Sequence, residues 1–119
     1  MPFKRLLTTL VESVPGGSGA ILADWEGEAV EQFSHGDPFE MKVTAAHWGI
    51  VLTLLKGVHE KFSAGGVREA VVSTEEQYVV VGAVGDDYAL VMTMDRQALP
   101  LLALKRFRDT VQLLHKEIY

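Results

Sequence analysis

Phe3, Leu6, Leu7, Leu10 and Val14 recur at steps of three and four residues, the spacing that gathers apolar side chains on one face of a helix. This predicts a first helix over Phe3 to Val14. Pro15-Gly16-Gly17 stops it, since proline breaks the hydrogen-bond ladder and glycine suits a helix end. Gly19 to Asp24 is short, apolar and bounded by turn residues, and predicts a strand. Asp24-Trp25-Glu26-Gly27 reads as a tight turn. Glu28 to Phe33 returns as a second strand, more acidic than the first, as suits a sheet edge. Asp37-Pro38 then supplies an N-cap and a proline for the first turn of the next helix.

That second helix, Pro38 to Ser63, carries two apolar stripes instead of the single face of an ordinary surface helix. Successive side chains turn by about 100°, which places Phe39, Val43, Ala46, Ile50 and Leu54 on one stripe. Met41, Ala45, Trp48, Val51, Leu52, Leu55 and Phe62 form a second, broader one. Lys42, Thr53, Lys56 and Glu60 share a narrow polar strip. A helix greasy on two sides needs two things to pack against. Gly49 and Gly57 lie inside it, each costing about 1 kcal/mol against alanine, which suggests close approach by another element or tolerated surface positions. Ala64-Gly65-Gly66 ends it.

The period then changes to extended. Val67 to Thr74, Gln77 to Val84 and Tyr88 to Met94 are rich in strand-favouring valine and tyrosine. The gaps between them are too short for a helix, so the three strands are expected to be antiparallel neighbours. Leu101, Leu104, Phe107, Val111, Leu114 and Ile118 line one side of a last helix from Pro100, with Lys105, Asp109, Gln112 and Lys116 facing water. The order helix, two strands, helix, three strands, helix predicts an α+β three-layer sandwich: a five-stranded antiparallel sheet with helices on both faces.

A chain of 119 residues that is 48% hydrophobic has the material for one domain with its own core, expected to span 1–119. It has no cysteine and a formal charge of -5. Thiol chemistry is therefore excluded, and the totals give no positive surface of the kind nucleic acid requires. The apolar run Val43 to Leu55 is too short for a membrane crossing, which takes about 20 residues. Thr8, Thr9 and Glu12 break the apolar stretch that a secretory signal would need. The expected setting is the cytoplasm, with no nucleic-acid or membrane partner.

The residues offer little chemistry. His59-Glu60 is followed by Ser63 where a helical zinc motif needs histidine. His47, between the two stripes, reads as a hydrogen-bonded structural residue, and His35 and His115 as exposed. Pro15-Gly16-Gly17-Ser18-Gly19 lacks the lysine of a phosphate loop and leads into a strand. Asp86 and Asp87 fit a hairpin tip better than an acid–base pair. No serine sits in a nucleophile-elbow context. Lys105, Arg106 and Arg108 form a short basic cluster on a helix face. The expectation is a protein that is not an enzyme and holds no metal or cofactor.

The order of elements resembles the Roadblock / dynein-light-chain family, which includes bacterial MglB-type regulators, over Leu6 to Ile118. The resemblance rests on Gly19-Ala20-Ile21-Leu22-Ala23-Asp24-Trp25-Glu26-Gly27, on the long alanine- and leucine-rich helix, on Gly65-Gly66-Val67-Arg68-Glu69-Ala70-Val71-Val72, and on the last strand running through Asp95 into a leucine-rich helix. Trp25, His47 and Trp48 depart from the family's usual residues. The resemblance implies a homodimer, or a heterodimer with a paralogue, in which middle helices pack together and third strands pair. It also implies a small Ras-like GTPase as partner. The implied interface is Phe39, Val43, Ala46, Ile50 and Leu54 on the helix, with Val67, Arg68, Glu69, Ala70, Val71 and Val72 on the strand. This gives the broader stripe to the protein's own sheet; the residue pattern leaves the opposite assignment open. A small-molecule sensor module and a purely architectural dimer are the competing functional readings.

Overall fold

The structure, a computed structural model, describes residues 2–60 and 68–119. Its elements are α1 (Phe3–Glu12), β1 (Gly17–Asp24), β2 (Ala29–Ser34), α2 (Pro38–Glu60), β3 (Glu69–Ser73), β4 (Gln77–Val84), β5 (Tyr88–Asp95) and α3 (Pro100–Ile118). The five strands form one antiparallel sheet in the order β2-β1-β5-β4-β3. This is the expected α+β three-layer arrangement. The expected ends of the second helix (61–63) and the start of the third strand (Val67) lie outside the described residues. β1 begins two residues early, because Gly17 already pairs with Met94 of β5.

Alternation along the strands separates the two faces of the sheet, since successive side chains point to opposite sides. Ala20, Leu22, Val80, Val84, Leu90, Met92 and Met94 face α1 and α3, where Leu7, Leu10, Val11, Phe107 and Leu114 complete one core. Ile21, Val79, Val81 and Val91 face α2 and meet Met41, Ala45 and Leu52 in a second. Gly82 lets α3 settle onto β4, for a Cβ there would lie 2.7 Å from Phe107 Cε1.

Local chemistry fixes the ends of the elements. The Asp37 carboxylate accepts the Phe39 N–H at 2.9 Å, capping α2 as its position before Pro38 suggested. Asp24 does the same for the first hairpin, taking the N–H groups of Glu26 and Glu28 at 2.9 and 3.0 Å. Gly27 closes that turn with a φ of 89°, a conformation glycine adopts without steric cost. Trp25 reaches across the end of the sheet, its indole N–H donating to the Asp86 carbonyl at 2.9 Å while Lys56 of α2 lies over its ring.

Two expectations need correction, and one open alternative narrows. His47 is exposed and edge-on to Trp48, not the hydrogen-bonded structural residue expected. Leu101 is 84% exposed; it lies about 200° round the helix from inward-facing Ala103. Neither Gly49 nor Gly57 has an atom within 4 Å of a notional Cβ, so close packing within the chain does not explain either.

Candidate interaction surface

Each face of α2 has a distinct fate. Met41, Ala45 and Leu52 are buried on the sheet, with Trp48 packed beside them. On the far side Phe39, Val43, Ile50 and Leu54 are 71%, 54%, 56% and 66% exposed. These four follow one line along the outside of the helix, and Gly57 falls on the same line by its turn angle. Ala46 stands apart from them: it is half-buried, and its Cβ packs toward the hairpin at Gly27. Leu55, assigned by its spacing to the sheet side, is 43% exposed. Contiguous exposed apolar side chains on this scale mark interaction sites.

The strand half of the expected interface is an edge of the sheet. Among the described residues β3 pairs only with β4, placing Glu69 opposite Gly82 and Ser73 opposite Tyr78. Ala70 and Val72 turn toward the α2 side and join that core at its margin. Glu69, Val71 and Ser73 lie on the α3 side, where Val71 is 44% exposed. Arg68 is exposed just before the strand, and Val67 lies outside the described residues.

Two arginines organise this edge: Arg108, which belongs to the basic cluster of the last helix, and Arg96, which nothing local in the sequence marks. Arg108 of α3 makes an ion pair with Glu69, its Nε donating to the carboxylate at 2.7 Å and its Nη2 reaching the same oxygen. That hydrogen bond, with the carboxylate's charge, holds the Arg108 pKa above its ordinary value. Arg96, after β5, donates to the Thr74 carbonyl at 2.6 Å and to the Ser73 hydroxyl, over the ring of Tyr78. Both contacts join residues far apart in the chain.

The described residues also line open clefts. One, of about 1060 Å³, runs between α3 and the β4 side of the sheet; Lys56, Arg68, Arg108, His115 and Lys116 are among its lining residues. A smaller one of about 230 Å³ lies at the start of α2 and includes Ser18 and Thr93, whose hydroxyls share a hydrogen bond at 2.7 Å. Among the described residues no three histidine, aspartate or glutamate side chains come together as metal ligands. No helix among them is long and apolar enough to cross a membrane.

Residues 4–93 match the family model of the Roadblock/LC7 domain. No curated protein matches the chain significantly. Among solved structures, a Roadblock/LC7 domain from Streptomyces avermitilis superimposes with a TM-score of 0.88 at 22% identity, over 97% of this chain and 96% of that one. MglB of Myxococcus xanthus gives 0.89 at 13% identity, over 99% and 95%. MglC of the same organism gives 0.69 at 23% identity, over 98% and 99%. At these identities the likeness is one of fold.

Proposed function

The chain belongs to the Roadblock/LC7 domain family, and from that premise we propose that it is a non-catalytic regulator or scaffold that works as a dimer and binds a small Ras-like GTPase. The observation that carries the dimer is the line Phe39, Val43, Ile50 and Leu54, exposed along α2, together with a sheet edge that has no neighbour among the described residues. Burying a large apolar side chain is worth about 1.5–3 kcal/mol. Two such lines together offset the translational and rotational cost of association. A second copy or a paralogue fits this surface, α2 against α2 and β3 against β3, with Phe39, Val43, Ile50, Leu54 and 68–72 as its residues and Ala46 at its margin.

The GTPase reading rests on the family to which the chain belongs. Arg96 and Arg108 are each engaged by β3, so neither is offered as a finger into a nucleotide site. A dimer of this kind acts by binding one nucleotide state of its partner more tightly than the other. Affinity capture with candidate GTPases, loaded with GDP or a GTP analogue, tests this. Retention that depends on the nucleotide is expected; equal indifference to both states in every candidate overturns the reading.

The cleft along α3 favours a second reading, a sensor for a small anionic molecule, because Lys56, Arg68, Arg108 and Lys116 outnumber Glu69 and Asp86 along a concave space. A stabilised melting transition with a phosphorylated or carboxylated metabolite, lost in Arg108→Ala, would favour it.

A further inference from the structure

The two edges of the sheet are unequal. β2 carries a register shift opposite Leu22 and Ala23, and Glu31 on it is tied to Lys4; bulges and charges of this kind blunt an edge against pairing. β3 is regular over Glu69–Ser73 and has no proline or lysine. Its backbone groups can be assigned one by one. At one end the Ala83 N–H donates to the Arg68 carbonyl at 2.9 Å, and at the other the Thr74 N–H donates to the Gln77 carbonyl at 2.9 Å. Direction alternates along an antiparallel strand, so Arg68, Ala70, Val72 and Thr74 bond inward to β4. Glu69, Val71 and Ser73 turn their N–H and C=O groups out of the sheet.

We propose that in this dimer the two-fold axis passes through Val71 of β3, so that Glu69 of each copy is held between its own Arg108 and the partner's Arg96. This rests on the dimer reading above and adds its register and its polar contact. With the axis at Val71, Val71 bonds to the partner's Val71 and Glu69 bonds to the partner's Ser73. Every outward backbone group of the strand is then matched. Moving the axis one residue, to Ala70 or Val72, strips Ser73 or Glu69 of its counterpart within the strand.

The side chains agree with that axis on both faces. Residues in a hydrogen-bonded antiparallel pair have Cα atoms about 5.5 Å apart, which sets the Glu69 carboxylate beside the partner's Ser73. In each copy the Ser73 hydroxyl holds the Arg96 guanidinium, bringing that cation within reach of Glu69 across the axis. Arg108 already holds the carboxylate from its own side. Charge-assisted bonds of this type are stronger than neutral ones. On the opposite face Ala70 and Val72 meet the partner's Val72 and Ala70 at the closer spacing of non-hydrogen-bonded pairs. That face is apolar and lies on the α2 side.

The test is a double-mutant cycle on the dimer dissociation constant of the full chain, using Glu69→Gln, Arg96→Gln and both together. Within one chain the Arg96 side chain is held at Ser73, roughly 13 Å along β3 from Glu69, so coupling between Arg96 and Glu69 reports contact across the axis. Each single variant is expected to weaken the dimer about tenfold, and the double variant no more than either single. Because the chain has no cysteine, Val71→Cys carries a single nitroxide label independently of those variants. Dipolar broadening between two labels at 71 is expected, at the shortest separation any position of β3 allows. Additive losses in a dimer, or labels at 71 too far apart to broaden each other, overturn the register while leaving the dimer standing. A wild-type chain that sediments as a monomer at every concentration overturns the dimer itself.

Discussion

Gly49 and Gly82 are both helix- or strand-interior glycines, and their surroundings set opposite expectations. Nothing lies within 4 Å of a Cβ at Gly49, whereas at Gly82 the new atom would meet Phe107 at 2.7 Å. Gly49→Ala is therefore expected to stabilise the protein by about 1 kcal/mol, the helix-propensity difference. Gly82→Ala should destabilise it by about 1–3 kcal/mol through overpacking against a fully buried ring. Urea unfolding followed by circular dichroism measures both. Tyr119 gives a further expectation at this scale. Its hydroxyl accepts the Asp87 N–H at 3.2 Å and donates to Asp87 Oδ2 at 3.0 Å. Desolvation against the β4–β5 turn, with the Asp87 carboxylate adding to it, pushes its pKa above the ordinary phenol value. The fold thus favours the neutral phenol. Its contribution is complete below the ordinary pKa and is lost as pH rises through the raised one. Tyr119→Phe is expected to flatten the alkaline limb of the stability profile, read as melting temperature against pH.

At the scale of elements, α2 was the most legible part of the sequence, because a repeat of three and four residues reports directly which side chains share a face. The line Phe39, Val43, Ile50 and Leu54 is exposed, on the opposite side from Met41, Ala45 and Leu52. Periodicity could not see that Ala46, at the border of that line, is covered by the turn at Gly27. Nor could it see that Leu55 drifts out of the core. The same limit hid the edge chemistry: Arg96 and Ser73, Arg108 and Glu69, and Trp25 and Asp86 meet only once distant strands have paired. The strand order was closed to local reading as well, since the β1–β5 pairing that joins the two hairpins leaves no signal in either segment alone. The element-scale expectation concerns the exposed line. Ile50 touches no core in the single chain, so Ile50→Asp should leave secondary structure intact while abolishing the dimer in sedimentation. An unchanged dimer would move the interface to another face of the molecule.

Across the whole molecule, the three-layer fold buries both faces of β1, β4 and β5, yet leaves a greasy helix line and one regular sheet edge uncovered on the same molecule. In the proposed dimer a second copy covers both together, which links folding to association. Whatever binds only the folded state stabilises it by mass action, and in the proposed dimer that ligand is the protein itself. The melting temperature should accordingly rise with protein concentration. A tenfold increase adds about 1.4 kcal/mol per dimer, which at the unfolding entropy of a dimer this size corresponds to roughly 3 °C. Ile50→Asp should remove that dependence, because a monomer unfolds at a temperature set by its own contacts alone. Scanning calorimetry over a hundredfold concentration range reads both slopes. A flat wild-type slope, with the protein folded throughout, would mean that this apolar line waits for a different molecule.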